Sequence, residues 1–203
     1  MNSLEKNRKY IIISVISLLL ILPMFFGLYV ENIIPQAINL YTFLIIFGGL
    51  IVLFTLGELI DIFGFNTESL ELIKEHDVIQ ALITKKKRLV ILSLFLLTMI
   101  MEELIFRYYL LSFLFHSLNL DFILVLIISS LFFSLYHFHT WFTFKNLRIL
   151  GIFLIISFLL GLFLGFIFIT LGFFICVIIH SLFALLFYFN LFNRYFKTKE
   201  NQN

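Results

Sequence analysis

The sequence predicts an all-α polytopic membrane protein with about six transmembrane helices and one amphipathic helix at the cytoplasmic interface. Three observations carry this. The 203 residues are 62% hydrophobic and 13% charged, with a mean hydropathy of +1.12, well outside the usual composition of soluble domains. The apolar residues come in continuous runs, where a β-barrel strand would alternate. Lysine and arginine, Arg107 apart, are confined to four places along the chain, a pattern that sets topology.

About 20 apolar residues cross about 30 Å of hydrocarbon as a helix. Runs of that kind cover residues 10–30, 38–60, 89–115, 122–144 and 149–192. The first follows Lys6, Arg8 and Lys9, as a signal peptide would. It ends on the bulky Phe26-Gly27-Leu28-Tyr29-Val30, with no small-residue cleavage pattern, and is too long for a signal core, so it reads as a retained anchor. The last run is too long for one crossing. It contains Gly161, Gly165 and Gly172, and a split near residues 167–171 gives the sixth span. Between the second and third spans, the polar stretch 61–88 has Thr67 as an expected N-cap and Glu68 and Glu71 in the first turn. Leu72, Ile73, Ile79, Leu82 and Ile83 recur at helical spacing, and Lys85-Lys86-Lys87-Arg88 forms a basic anchor.

With six spans, all four basic places fall on one side: the N-terminus, the loop with Lys74 and Lys85 to Arg88, the loop with Lys145 and Arg148, and the tail with Arg194, Lys197 and Lys199. The alternate loops, around residues 31–36, 116–121 and 167–171, have no Lys or Arg. The positive-inside rule then puts both termini of this multi-pass cell-membrane protein in the cytoplasm. Abundant Ile, Phe, Leu, Asn and Lys point to an AT-rich, bacterial genome. The organisation expected is an accessory region at 1–88 with two spans and the interfacial helix, a core at 89–192 with four spans, and a cytoplasmic tail at 193–203. Ser157, Gly161 and Gly165 recur every four residues and would let another helix come close.

The chemistry lies in the core. Glu102, Glu103 and Arg107 stand inside a hydrophobic run, and each charge there costs roughly 2.5–3.5 kcal/mol on insertion scales. Glu103 and Arg107 are four apart with the acid first, the favoured order for an ion pair. Glu102 points about 100° away, so its partner has to come from another helix. A buried carboxylate without an ion-pair partner is suited to general acid or base work. His137 and His180 supply two imidazoles from later spans. Glu, His and His activate water either by general base catalysis or as a two-His, one-carboxylate site for a divalent metal such as zinc. At about 1.5 Å per residue, Glu102 lies about 21 Å from Arg88, while His137 falls nearer the cytoplasmic side. The three converge if the site opens inward.

Glu-Glu-x-x-x-Arg at Glu102, Glu103 and Arg107, Phe-x-x-x-His at Phe133 and His137, and a further His at His180 together resemble the CAAX protease and bacteriocin-processing family of intramembrane proteases, also called CPBP or Abi. The likeness covers roughly residues 95–190. It implies that Glu102 activates water with His137, that His180 polarises the scissile carbonyl or shares a metal, and that Glu103 and Arg107 are structural support. Family members are often called metalloendopeptidases, although a metal-free glutamate mechanism has also been proposed, and the sequence leaves both open. One departure matters. Where the third family motif reads His-x-x-x-Asn, Ala184 stands four residues after His180, and losing one oxyanion donor costs about 10²–10³ in rate. Asn190 is ten residues on and faces elsewhere. Either another donor serves, such as Ser181 or Ser134, or activity is weak, or the chain is a non-catalytic binder.

Other residues read as packing or anchoring. Cys176, the single cysteine, allows no intrachain disulfide and is a buried packing residue. Glu58 and Asp61 are interfacial and solvated, while His139, Trp141 and Lys145 form an interfacial belt. There is no nucleic-acid-binding face. The expected function is an intramembrane endopeptidase acting on a peptide or membrane-protein substrate in the bilayer. The alternative is a non-catalytic protein of the same fold, a bacteriocin self-immunity factor or scaffold. A transporter is disfavoured because inverted repeats and broken helices are missing.

Overall fold

A computed structural model describes residues 3–33, 39–84 and 88–200. Of the expected basic anchor, Lys85, Lys86 and Lys87 lie outside the described residues, as do the loop around Gln36 and residues 201–203. The described chain is helical almost throughout, and no strand occurs among the described residues. In order come α1 (Ser3–Ile21), α2 (Leu40–Gly64), α3 (Thr67–Ile73), α4 (Asp77–Thr84), α5 (Arg88–Glu103), α6 (Phe122–Tyr136), α7 (His139–Phe144) and α8 (Leu147–Glu200). Three helical stretches, Leu40–Gly64, Phe122–Phe144 and Leu147–Lys197, are long and apolar enough to cross a membrane. Large exposed side chains such as Phe43, Phe47, Phe63, Phe132 and Phe174 suit contact with lipid, where burial needs no protein partner.

The third stretch has 51 residues, far more than one crossing needs, and it is not one straight helix. Gly172 has φ 81° and ψ 178°, a conformation open to glycine because it lacks a Cβ. The break divides α8 into arms at 147–171 and 173–200, and it lies just after the expected window of 167–171. The arms touch: the Cys176 thiol is 3.3 Å from the carbonyl of Leu164. Residues 193–200, expected as a tail, continue the second arm as helix.

The first arm packs on α6 through the expected small-residue stripe. A Cβ on Gly161 would stand 3.0 Å from the Ser130 Cα, and one on Gly165 would stand 2.7 Å from Leu126. Neither distance is compatible with a larger side chain in the present packing, so the glycines set the separation of the two helices. The second arm packs on α5 and α2. At its far end Arg194 reaches Asp61, 3.3 Å from Oδ1, and donates to the carbonyls of Ile62 and Phe65 at 3.0 Å each. Asp61 is therefore buried against a cation, in contrast to its expected solvation, because Arg194 neutralises it and caps the C-terminus of α2.

The expected single interfacial helix is two short ones. Asn66, and not Thr67, is the N-cap, in a capping box with Ser69. The helix ends at Ile73, and Lys74 to His76 turn the chain into α4. Leu70, Ile73, Val78, Ile79 and Ala81 are buried, because α3 packs on α8 and α4 on both α5 and α8. Their apolar face is spent on protein.

Candidate functional site

The helix that carries the three charges changes winding at them. α5 runs to Glu103, after which residues Leu104–Leu111 adopt a π-helix, the rare i→i+5 winding that is frequent at functional sites. Ser129 on α6 donates to the carbonyl of Phe106 within this turn at 2.9 Å. Tyr108 and Tyr109 hold the carbonyls of Leu28 and Leu20, which ties the first helical region to the π turn.

Glu103 is the centre of a dry polar cluster. It is fully buried, as is Arg107, whose Nε lies 3.3 Å from Glu103 Oε2. The expected pair is thus formed, although the contact is Coulombic only: among the described residues no guanidinium nitrogen has a hydrogen-bond partner. The other face of the cation meets the Phe133 ring at 4.1 Å, a favourable arrangement in a desolvated site. Two further groups converge on Glu103 from the second arm of α8. His180 Nδ1 is 2.7 Å from Oε1, and the Cys176 thiol donates to Oε2 at 2.9 Å. Cys176 is packed as expected, with a hydrogen bond that its position four residues before His180 could have signalled.

Because a carboxylate only accepts, His180 carries a proton on Nδ1, and its Nε2 is left to face Glu102. That nitrogen is 3.9 Å from Glu102 Oε2, too far for a direct hydrogen bond. Glu102 is buried at 4% exposure, and this oxygen has no hydrogen-bond partner. A buried orphan acceptor opposite an imidazole nitrogen is where a water or a substrate group would be held.

His137 joins this group at one remove. It is the C-cap of α6, half-buried, with Nδ1 donating to the Phe133 carbonyl at 3.0 Å, so a neutral ring keeps its lone pair on Nε2. The Phe133 ring contacts both histidines edge-on, its centroid 5.0 Å from His137 and 5.6 Å from His180. Glu103 therefore contacts Arg107 and His180 directly, His180 faces Glu102 at 3.9 Å, and His137 joins them through the shared Phe133 ring. Among the described residues no three His, Cys, Asp or Glu side chains form a group placed to hold a metal ion. The donor set of Glu102, His137 and His180 as it stands does not fit a three-ligand metal centre.

The two serines that could replace the amide absent at Ala184 are both committed elsewhere. Ser181 donates to the Val177 carbonyl and Ser134 to the Leu154 carbonyl, each at 2.7 Å. A hydroxyl has one proton to donate, so neither offers it to the site. Asn190 donates to Glu58, away from Glu102.

No curated protein and no solved structure matches the chain. A sequence model of the family described as "Type II CAAX prenyl endopeptidase Rce1-like" matches residues 84–186. The match takes in α5, the π turn, α6, α7 and the part of α8 that reaches past His180. It spans just over half of the 203 residues and every side chain of the cluster, and on that extent the chain belongs to the type II CAAX prenyl endopeptidase Rce1-like family.

Proposed function

We propose that this protein is an intramembrane endopeptidase that hydrolyses a peptide bond with water activated by Glu102, and that its substrate is a peptide or membrane protein ending in a prenylated Cys-a-a-X sequence. The observation that carries the reading is the orphan oxygen of Glu102, buried and facing His180 Nε2 across 3.9 Å. Water held there gives a proton to Glu102 as its oxygen adds to the scissile carbonyl carbon. The carbonyl π pair moves to oxygen, and Glu102 returns the proton to the leaving nitrogen as the C–N bond breaks, leaving an amine and a carboxylic acid that keeps the water's second proton. His137, with its Nε2 lone pair, orients the water. His180, held through Nδ1 by the Glu103 carboxylate at 2.7 Å, turns the lone pair of Nε2 toward the water beside Glu102. Arg107, 3.3 Å from Glu103, is its counter-ion. No step is routed through a metal, because among the described residues no three donors form a group placed to hold one.

The six-span topology with both termini cytoplasmic accompanies this reading, supported by the confinement of Lys and Arg to four places and by the break at Gly172. Glu102→Gln tests it, since the amide keeps the shape and removes the base. Cleavage of an internally quenched prenylated peptide by purified protein should fall at least about 10²-fold. Full activity in that variant would refute a glutamate-activated water. In the non-catalytic reading, a bacteriocin self-immunity factor or scaffold, Glu102→Gln leaves the cellular phenotype intact.

A further inference from the structure

Between the end of α2 and the end of the second arm of α8 lies a hollow of about 440 Å³. Each helix lines it with a polar stripe. Asn190, Asn193, Arg194 and Lys197 recur at i, i+3, i+4 and i+7, one face of α8, opposite Glu58 and Asp61 on α2. A second hollow of about 460 Å³ shares Asn193 and Lys197 with the first and is completed by Phe192 and Phe196, whose rings meet at 4.9 Å. A polar hollow and an aromatic one therefore adjoin at Asn193 and Lys197.

The polar hollow carries charge of both signs. Arg194 is committed to α2, through Asp61 and the carbonyls of Ile62 and Phe65. Asp61 is 6% exposed, and its Oδ1, 3.3 Å from Arg194, accepts no hydrogen bond among the described residues. Glu58 is exposed and accepts from Asn190, which uses one of about four acceptor sites on a carboxylate. Lys197 is exposed at the far end of the stripe. Glu58 precedes the end of α2 at Gly64 by about 9 Å, the depth of the headgroups for a crossing helix. Leu59, Ile62, Phe63 and Phe189 are exposed around it, a surface that suits lipid, so a ligand with hydrocarbon tails reaches the hollow from within the bilayer.

We propose that the two hollows form a binding site for one ethanolamine phospholipid, with its ammonium between Glu58 and Asp61, its phosphate on Lys197 and Asn193, and an acyl chain against Phe192 and Phe196. Basic pockets between membrane helices take lipid headgroups, and the carboxylates here select among them. A headgroup with only negative charge meets Glu58 as a like charge. A choline headgroup has no N–H to donate. A primary ammonium has three donors, and a phosphodiester accepts charge-assisted hydrogen bonds from Lys197. The lipid ties α2 to the arm of α8 that carries His180, and it does so whether or not the protein is a peptidase.

The test reads lipid retention by native mass spectrometry. The full-length protein is released from nanodiscs of phosphatidylcholine with equal minor fractions of phosphatidylethanolamine and phosphatidylglycerol. One ethanolamine lipid should be retained about 10-fold above its share, the factor that one charge-assisted hydrogen bond supplies. Glu58→Gln, at an exposed position, should unfold near the parent temperature and hold ethanolamine and choline lipids alike. Lys197→Gln should weaken retention of all three. Equal retention of the three lipids by the parent, a preference for phosphatidylglycerol, or an undiminished ethanolamine preference in Glu58→Gln overturns the proposal, and unchanged retention in Lys197→Gln removes the phosphate contact from it. In micelles, phosphatidylethanolamine should raise the unfolding temperature and soluble phosphoethanolamine should not. A rise with the soluble headgroup alone would assign the site to a free phosphoamine and refute the lipid.

Discussion

Arg107→Met isolates the electrostatics on which the cluster depends. Arg107 and Glu103 have no exposed side-chain surface and stand 3.3 Å apart, so removing the cation leaves a carboxylate in a dry interior with only His180 and Cys176 to hold it. Breaking a buried pair from one side costs about 3–5 kcal/mol. The stacking of the guanidinium on Phe133 at 4.1 Å, worth about 2 kcal/mol when desolvated, is lost in the same step and is partly replaced by methionine packing on the ring. A loss of about 4 kcal/mol is expected. Glu103→Gln in the same chain removes the stranded charge while its amide oxygen still accepts from His180 Nδ1, so the double variant should recover about 2–3 kcal/mol of what Arg107→Met loses, the coupling expected of groups in one network. The measurement is reversible unfolding in mixed micelles against an SDS titration, followed by far-UV circular dichroism. If the single and double variants are equally destabilised, within about 0.5 kcal/mol, Arg107 is not the counter-ion of Glu103 and the cluster has been misjudged.

Two further outcomes follow from the geometry. Gly161→Leu places a side chain 3.0 Å from the Ser130 backbone and should cost about 1–3 kcal/mol by overpacking in the same titration, whereas Gly151→Leu, with open space around its Cβ position, should cost about 1 kcal/mol or less. Dialysis against a strong chelator should leave peptide cleavage unchanged, since among the described residues no three donors form a group placed to hold a metal; loss of activity restored by added zinc would overturn the metal-free route.

Much of the fold was legible because a bilayer imposes long apolar runs, and α2, the α6 and α7 stretch and α8 follow them. The glycine stripe was legible for a related reason: spacing by four marks one face, and Ser130 and Leu126 lie against it. What failed was local. Composition placed Asp61 in solvent because its partner, Arg194, is over 130 residues away in sequence, and periodicity joined α3 to α4 across Lys74 to His76, since a short turn hardly disturbs an apolar repeat. The π turn after Glu103 left no sign at all. Its residues, Leu104 to Leu111, have an ordinary apolar helical pattern, and the winding is held in part by a contact from Ser129 on another helix.

The site shows the same division more sharply. Spacing alone separated Glu103, which has Arg107 on its own helix, from Glu102, which does not. It could not show that His180 meets both acids, because that depends on how the second arm of α8 faces α5. The ring uses Nδ1 on Glu103 and turns Nε2 toward Glu102 at 3.9 Å, so one imidazole faces both carboxylates and is bonded to Glu103 alone. Glu103 is fully buried with Arg107, Cys176 and His180 around it. Glu102 has an oxygen without a partner. Support and reactivity are thus divided between adjacent residues by the 100° step of the helix that carries them, and any change that moves charge on Glu103 will reach Glu102 through His180.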